Sequence, residues 1–297
     1  MREPALIRML PDGRRLHLHD GPIDLIIQAN GSPQGISAAY EAAARRFGSI
    51  LDELCGELPL LRSRARNNTE RPRGVVAQRM FDAVELFCEQ CFITPMAAVA
   101  GSVAEEILES MTAAATLDRA YANNGGDIAI HLGDEQSYRI GMVERPDRPS
   151  LFGALEISAA DPVRGIATSG WRGRSFSLGI ADAVTVLAHS ASAADAAATV
   201  IANAVNLPNH PGITRIPAWE ISPDSDLGDL LVTRGVEPLS DSEIVAALDS
   251  GARAAEILRA RGLIHASALR LQGHTHVVSP SLAQASIKLS QRSLLHA

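Results

Sequence analysis

The sequence predicts an α+β fold in which mixed and antiparallel sheets carry helices on their outer faces. Three short strands are predicted over Ala5–Met9, Arg15–His19 and Ile23–Ala29, because apolar segments alternate there with Pro, Asp and Gly turns. A helix is predicted over Ser37–Leu54, where apolar residues recur with helical spacing. A strand meander followed by an amphipathic helix indicates a sheet that is covered by helices.

The segment from Gly165 to Asn206 adds a second block of structure. Ile166–Gly170 is small and turn-forming, Ala183–Leu187 is a short β-branched run typical of a buried strand, and Ser192–Asn206 is alanine-rich with helical spacing. The predicted order is turn, strand, turn and helix. Elsewhere, the pattern predicts strands over Ile128–Leu132, Tyr138–Val143 and Leu151–Ile157, and a helix over Asp241–Arg261.

With 297 residues and 46% hydrophobic content, the chain is long enough to bury a large core. We predict a single domain over residues 1–297 with two interlocked halves, an N-terminal meander over residues 1–30 and a frayed tail after residue 280.

The net charge of −7 and the pI near 5.7 argue against nucleic acid or anionic membranes as the main partner. No apolar run is long enough to span a bilayer, and the first residues lack a signal-peptide core, so we expect a cytoplasmic protein.

Lys288 is the only lysine in the sequence, so arginine carries almost all of the positive charge. This composition excludes a Walker-type phosphate loop and a Schiff-base lysine in the body of the fold. A bound phosphate must therefore be held by arginine, backbone amides or a metal.

The chain has 3 cysteines, and we expect buried or half-buried thiols rather than a disulfide framework.

Asp195 and Thr199 are spaced four residues apart in the predicted alanine-rich helix, so their side chains share one helix face. A carboxylate and a hydroxyl so placed suit a hard divalent cation. The alternative needs no ligand, because Asp complements the positive end of the helix dipole and Thr can bond to a backbone carbonyl. Spacing alone leaves both interpretations open.

Two further motifs combine small residues with polar ones. Gly101 and Ser102 are expected at the start of a helix, where Ser102 and Glu105 have the spacing of a capping box and free amides would suit an anion. Asn123–Asp127 precedes a strand, and its Asn-Gly-Gly is typical of a tight turn. The same glycines would let the backbone approach a nucleotide closely.

His17 and His19 alternate onto one face of the second predicted strand. Two histidines so placed suit a metal site. We favour a solvated edge strand, because no third ligand is evident nearby.

Six arginines lie between Arg62 and Arg79, in a segment that Asn67, Asn68 and Pro72 interrupt. A solvated, mobile loop is the simpler interpretation. A phosphate clamp is the alternative, since arginine forks match phosphate oxygens and the segment has no lysine.

Several motifs occur in the order typical of one family. They are AGSVAEEI at Ala100–Ile107, NNGGDI at Asn123–Ile128, TSG at Thr168–Gly170, VTVLA at Val184–Ala188 and ADAAAT at Ala194–Thr199. The ordered set resembles the ApbE-like family, the flavin transferases that move FMN from FAD onto a protein threonine. The resemblance covers about residues 95 to 206 and implies an ApbE-like α+β fold.

The resemblance also implies cofactors, partners and a site. FAD or FMN and Mg²⁺ are the implied cofactors, with Asp195 and Thr199 as metal ligands. A flavin or other nucleotide and a protein acceptor are the expected partners. Independently of the resemblance, we expect a homo-oligomer. The implied cofactor-binding residues are Gly101, Ser102, Asn124, Gly125, Gly126, Asp127, Thr168 and Ser169.

The chain departs from the family pattern where the chemistry takes place. Family members carry H-x-I-D-P-x-T-G between the TSG turn and the VTV strand, whereas Trp171–Asp182 stands here without histidine or proline. The lysine of the family's GG-x-A-K-G helix start is also missing. Asp182, Ser169 and His189 are catalytic candidates by position only.

Three hypotheses for the function follow from these departures. The first is a flavin-nucleotide enzyme that uses Mg²⁺ to transfer or release FMN from FAD. The second is a non-enzymatic flavin or nucleotide carrier. The third is an oligomeric enzyme that acts on another small molecule in the same cleft.

Overall fold

The structure is a computed structural model that describes residues 5–66, 70–143, 151–280 and 288–289. Its strands are β1 (Leu6–Met9), β2 (Leu16–Asp20), β3 (Ile23–Asn30), β4 (Arg119–Asn124), β5 (Asp127–Leu132), β6 (Ser137–Val143), β7 (Leu151–Ser158), β8 (Gly165–Ser169), β9 (Ala183–Ala188), β10 (Ile213–Pro217), β11 (Leu231–Val236), β12 (Ala266–Leu271), β13 (His274–Val278) and β14 (Lys288–Leu289). Its α-helices are α1 (Pro33–Gly56), α2 (Leu58–Leu61), α3 (Val75–Glu85), α4 (Val99–Ala114), α5 (Ala191–Ala204), α6 (Ala218–Ile221) and α7 (Asp241–Ala260), and a 3₁₀ turn (Pro95–Ala98) precedes α4.

The chain divides into two compact units, each built from non-consecutive segments. The first unit holds residues 1–137, 158–167 and 188–196, and the second holds residues 138–157, 168–187 and 197–297. The fold is α+β, as the sequence predicts. The arrangement of these units as one domain with interlocked halves stays a prediction.

In the first unit, β1 to β5 follow each other in an antiparallel meander, and β5 also pairs with the start of β8. Residues of β2 and β3 alternate between buried and half-buried, which is the burial pattern of a sheet with one core face. Helices α1 and α4 pack against each other and against this sheet. Their fully buried side chains include Phe47, Ile50, Ile107 and Met111.

In the second unit, β9, β12 and β13 form consecutive antiparallel pairs, and α7 packs on β12 and β13. All residues of β9 and β12 are buried. Helix α7 begins with a complete capping box, in which Ser240 and Glu243 each accept a hydrogen bond from the other residue's backbone N–H. Strands β10 and β11 form a separate antiparallel ribbon, and β6, β7 and β14 form a three-stranded sheet.

The periodic segments of the sequence are confirmed by the structure. The three N-terminal strands, the following helix, the strand before the alanine-rich helix and that helix itself all form within a few residues of the predicted bounds. The predicted turn at Ile166–Gly170 is wrong, because Gly165–Ser169 is strand β8. Small residues suit a strand here, since a side chain at Gly165 would collide with the backbone of Ser190.

Two other local predictions need correction. Helix α4 begins at Val99 after the 3₁₀ turn, so Ser102 lies inside the helix, fully buried, and does not cap it. Arg79 belongs to α3 and is not part of a loop.

The predicted frayed tail lies outside the described residues, except for residues 288–289. None of the described helices combines the length and apolar character that a membrane span requires.

Gly101 in α4 lets this helix approach the start of α5, and its substitution tests that approach. A Cβ at Gly101 would lie inside van der Waals distance of the Ala191 carbonyl oxygen, so we expect Gly101→Ala to lower the free energy of unfolding by about 1–3 kcal/mol. Urea unfolding followed by circular dichroism measures this change.

Gly48→Ala is the matched control, because Gly48 is also helical but a Cβ there would meet no atom within 4 Å. This control should stabilise the protein by about 0.5–1 kcal/mol, the usual gain of Ala over Gly in a helix. Equal effects of the two substitutions would contradict a close approach at Gly101.

Candidate functional site

In the first unit, the first turn of α4 receives a carboxylate from α5. The N–H of Gly101 donates a hydrogen bond to Oδ2 of Asp195, at 3.0 Å. This N–H is one of the first helical amides, which have no partner within their own helix. The positive end of the helix dipole also favours a negative group at this position. Asp195 is therefore held at the start of α4 and does not simply project into solvent.

Helix α4 returns a carboxylate to the first turn of α5. Oε2 of Glu105 accepts the N–H of Ser192 at 3.1 Å, and Oγ of Ser190 accepts the N–H of Ala193 at 3.2 Å. The predicted capping box of Ser102 and Glu105 is thus wrong, since Glu105 caps a different helix. Oγ of Ser102 is buried and has no hydrogen-bond partner among the described residues.

Asn124 ties the β4–β5 hairpin to the same helix start. Its Nδ2 donates to the carbonyl oxygen of Ala100 at 3.2 Å, and its Oδ1 accepts the backbone N–H of Asp24 at 3.4 Å. Asn124 is buried, and both the nitrogen and the oxygen of its side-chain amide are hydrogen-bonded, as is usual for a buried polar group.

Gly125 and Gly126 form the two-residue connection between the paired residues Asn124 and Asp127. Their φ angles are +65° and +115°, a backbone conformation that glycine adopts without steric cost. The N–H of Gly126 donates to Oδ1 of Asn123 at 2.8 Å. The Asn-Gly-Gly motif is therefore a tight turn, and both glycines are exposed, so a ligand can reach their backbone.

The negative charge of Asp127 acts on the carboxylate of Asp195. Burial raises the pKa of Asp195 well above its ordinary value, and the negative charge of Asp127 raises this pKa further. Hydrogen bonds from the N–H groups of Gly101 and Ala100 act in the opposite direction. Two neighbouring carboxylates, one of them partly buried, disfavour each other's ionised form, and oxygen ligands suit a hard divalent cation.

The remaining predicted site residues lie elsewhere along the chain. Thr199 is half-buried one turn further along α5, in the part of the helix that belongs to the second unit. In the second unit, Thr168 is exposed with its Oγ1 2.9 Å from that of Thr185, and Ser169 is half-buried. His189 is exposed just before α5. The roles of Thr168, Ser169 and Thr199 stay predictions.

Asp182 is buried in the second unit and both of its carboxylate oxygens accept hydrogen bonds. Oδ1 accepts from Nε1 of Trp171 at 3.2 Å and from Nε of Arg172 at 2.7 Å, and Oδ2 accepts the N–H of Gln272 at 2.6 Å. The Arg172 guanidinium stacks on the Trp171 ring, 4.2 Å from its centroid. The segment that replaces the family motif is thus folded around Asp182, which favours a structural role for this carboxylate.

Arginines of the 62–79 segment are engaged by carboxylates. Arg71 pairs with Asp82 and with Glu85, at 2.5 and 3.0 Å. Arg79 pairs with carboxylates of α4, among them those of Glu105, Glu106 and Glu109. Residues 67–69 lie outside the described residues. These ion pairs favour a structural role for Arg71 and Arg79 over a phosphate clamp.

The structure adds two polar residues that the sequence patterns did not single out correctly. Glu105 reaches α5 across 87 residues of sequence, so no local spacing reveals it. Asp24 lies opposite His19 in the β2–β3 hairpin, and counting residues outward from the turn would have found it. The interpretation of β2 as an edge strand is wrong, because β2 lies between β1 and β3.

Comparisons with known proteins find a matching family model and several relatives. A family model described as AbpE bacteria matches residues 7–277. The UPF0280 protein of Methanopyrus kandleri is 35% identical over 182 residues, which are 61% of this chain and 69% of that protein. The UPF0280 protein of Methanothrix thermoacetophila is 38% identical over 131 residues, which are 44% of this chain and 52% of that protein, so the chain spans about half of this relative.

Two solved structures are similar over most of the chain. The apo form of flavinyl transferase ApbE from Pseudomonas stutzeri gives a TM-score of 0.46 at 12% identity, covering 93% of this chain and 95% of that chain. A mutant of flavin transferase ApbE from Vibrio cholerae gives a TM-score of 0.38 at 12% identity, covering 94% and 98%.

The raised pKa of Asp195 makes stability depend on pH in the absence of divalent cations. The folded pKa lies above the unfolded value of about 3.9, so the stability that this group contributes is complete below the unfolded pKa and is lost as pH rises through the folded pKa. Wild type should lose stability across this window, and Asp195→Asn, which cannot ionise, should lose less. Urea unfolding in EDTA at a series of pH values measures the difference.

Asp134→Asn removes an exposed carboxylate of the same unit and serves as the control. Its pH profile should follow that of wild type. A profile of Asp195→Asn that also runs parallel to wild type would contradict the raised pKa.

Proposed function

The chain belongs to the bacterial AbpE family, and we propose that it binds a flavin nucleotide and uses Mg²⁺ to transfer or release FMN from FAD. The observation that carries this proposal is that Asp127 pairs with Asn124, whose side chain bonds to Ala100, next to the Gly101 N–H that Asp195 accepts. The flavin part rests on family membership and on the resemblance of the ordered motifs to flavin transferases.

The donor set of this centre fits a hard cation. Asp127 and Asp195 supply two carboxylates, and the pKa of Asp195 is raised by the charge of Asp127, so a positive ion would relieve their repulsion. We propose Asp127, Asp195 and Thr199 as the residues that hold Mg²⁺, with water completing the shell. If bound there, Mg²⁺ would polarise the pyrophosphate of FAD and stabilise the negative charge on the departing AMP, so that FMN could pass to a hydroxyl acceptor or to water.

The protein's own groups would position the nucleotide. The amides of Gly101 and Ala100 hold Asp195 in place, so its carboxylate does not need to reorganise when a ligand binds. Gly125 and Gly126 present an exposed backbone without side chains, which would allow close contact with a phosphate or ribose. Thr168 and Ser169 are proposed to add hydroxyl contacts.

A non-enzymatic flavin or nucleotide carrier is the second candidate function. It is favoured by the hydrogen bonds at Asp182, whose two carboxylate oxygens are occupied by Trp171, Arg172 and Gln272. A carboxylate so engaged is a poor proton acceptor for an incoming hydroxyl. A carrier would keep the metal and nucleotide pocket without the transfer machinery.

The visible absorption spectrum of the purified protein tests the flavin part directly. Binding of FAD or FMN, with the flavin released on denaturation identified by mass, supports both candidates. A colourless protein that ignores added FAD in the presence of Mg²⁺ would overturn both and favour another small molecule.

Asp195→Asn tests the metal role while keeping an oxygen that can accept the Gly101 N–H. Calorimetry should show that Mg²⁺ affinity and Mg²⁺-dependent nucleotide affinity fall by roughly tenfold or more, because a charged oxygen ligand is lost. Asp134→Asn should leave both affinities unchanged, since that carboxylate is exposed. Equal Mg²⁺ and nucleotide affinities in wild type and Asp195→Asn would indicate that Asp195 only caps helix α4.

FMN transfer onto a family-type threonine acceptor should be slow or absent. The chain lacks the H-x-I-D-P-x-T-G segment, and losing a single preorganised electrostatic donor can cost on the order of a hundredfold in rate. In-gel flavin fluorescence of an acceptor protein, incubated with the chain, FAD and Mg²⁺, measures the transfer. Efficient labelling would show that other residues have rebuilt the transfer site.

A further inference from the structure

A histidine and aspartate cluster lies on the β2–β3 hairpin of the first unit. One ligand atom from each of His17, His19 and Asp24 can be chosen so that all three lie within 4.8 Å of one another. We propose that these side chains bind a divalent transition-metal cation, with Zn²⁺ as the best fit, at a site separate from Asp127 and Asp195.

Strand geometry places the three side chains on one face. His17 and His19 are two residues apart in β2, so they point to the same side, and His19 is paired directly with Asp24 of β3. Leu18 and Leu25 are buried on the opposite, core-facing side of the sheet. β2 and β3 each have a neighbouring strand on both sides, so the three ligands are carried by a rigid backbone.

Distances in the cluster are close to those that a tetrahedral zinc ion requires. Nε2 of His17 is 2.9 Å from Oδ1 of Asp24, and Nδ1 of His19 is 3.7 Å from Oδ2 of Asp24. Zinc bonds of about 2.0–2.1 Å at tetrahedral angles separate two ligand atoms by roughly 3.3–3.5 Å. Small side-chain rotations would therefore bring the three ligands onto one ion.

The His17 ring can make this rotation at little cost in hydrogen bonding. Its Nδ1 is buried and has no hydrogen-bond partner among the described residues, so the contact with Asp24 is what holds the ring. A metal at the cluster would replace that one contact with a stronger bond. The side chains of His19 and Asp24 are each 45% exposed, which leaves them accessible to an ion from solvent.

The ligand set selects the class of metal. Two imidazoles and one carboxylate suit Zn²⁺, Co²⁺ or Fe²⁺, whereas Mg²⁺ prefers oxygen ligands only. Three protein ligands leave at least one coordination position open, as in zinc sites that bind water or a substrate group. The cluster lies on the other face of the sheet from Asp127, because the register pairs Leu25 with Asn124 and Asn124 with Asp127, whereas Asp24 points away from the Leu25 face.

Arg8 is the cation that the strand register places next to the cluster. It is paired with His17 across β1 and β2, and its side chain is exposed. Side chains of directly paired residues project to the same face. Removal of this positive charge should therefore tighten binding of a divalent cation, most clearly at low ionic strength.

Titration of the metal-stripped 297-residue chain with Co²⁺ and Zn²⁺ tests the site. We expect one equivalent of Co²⁺ to give the intense visible bands of a four- or five-coordinate ion, and Zn²⁺ to displace it. Asp24→Asn and His19→Gln should each weaken Zn²⁺ binding by roughly tenfold or more, and Arg8→Gln should strengthen it. Both weakened positions are about half exposed, so the variants should fold, which circular dichroism checks.

A similar histidine and aspartate pair in the second unit supplies the matched control. Nδ1 of His276 is 3.9 Å from Oδ1 of Asp249, with side chains 40% and 49% exposed, but no third ligand joins this pair among the described residues. Asp249→Asn should leave the cobalt spectrum and the zinc affinity unchanged. The spectrum should also persist in Asp195→Asn, which separates this site from the proposed nucleotide site.

Two results would overturn the proposal. The first is an absence of stoichiometric Co²⁺ binding to the wild type, which would make the cluster an ordinary hydrogen-bonded contact between His17 and Asp24. The second is binding that Asp24→Asn and His19→Gln leave unchanged, or that Asp195→Asn abolishes.

Discussion

The exchange of carboxylates between the first turns of α4 and α5 is the interaction on which the candidate site depends. Asp195 accepts the N–H of Gly101, and Glu105 accepts the N–H of Ser192. Each acidic group satisfies an amide that has no partner in its own helix and lies at the positive end of a dipole. The exchange requires the helices to approach closely, which a side chain at Gly101 would prevent. One glycine therefore fixes where Asp195 stands.

The position of Asp195 makes ionisation of its carboxyl group unfavourable. Burial and the neighbouring charge of Asp127 both disfavour ionisation of Asp195, and only the amides of the α4 start oppose them. A protein that served stability alone would gain by replacing one carboxylate with a neutral residue. The proposed Mg²⁺ would offset this repulsion, because a divalent cation attracts both carboxylates.

Local patterns in the sequence predicted the secondary structure well. They could not predict contacts between segments that are distant in the sequence. The alternation in β2 and β3 and the helical spacing in α1 and α5 depend on one buried face, which leaves a periodic trace. Ser102 and Glu105 matched a capping box by spacing, but the 3₁₀ turn at Pro95–Ala98 starts α4 earlier and frees Glu105 for α5. The pairing of Asp195 with the α4 start spans 94 residues and has no signature in the sequence.

The distribution of positive charge limits how either unit can hold a phosphate. The chain has a single lysine, and several arginines are already engaged within their own units: Arg71 and Arg79 by carboxylates, Arg164 by backbone carbonyls and Arg172 by Asp182. An arginine in such a pair can bind a phosphate only by leaving its carboxylate unpaired, which costs more when the pair is buried. Backbone amides and a metal ion do not carry this penalty. Under the proposed function, the negative charge of a nucleotide would therefore be met by the first amides of α4 and by a cation held between Asp127 and Asp195.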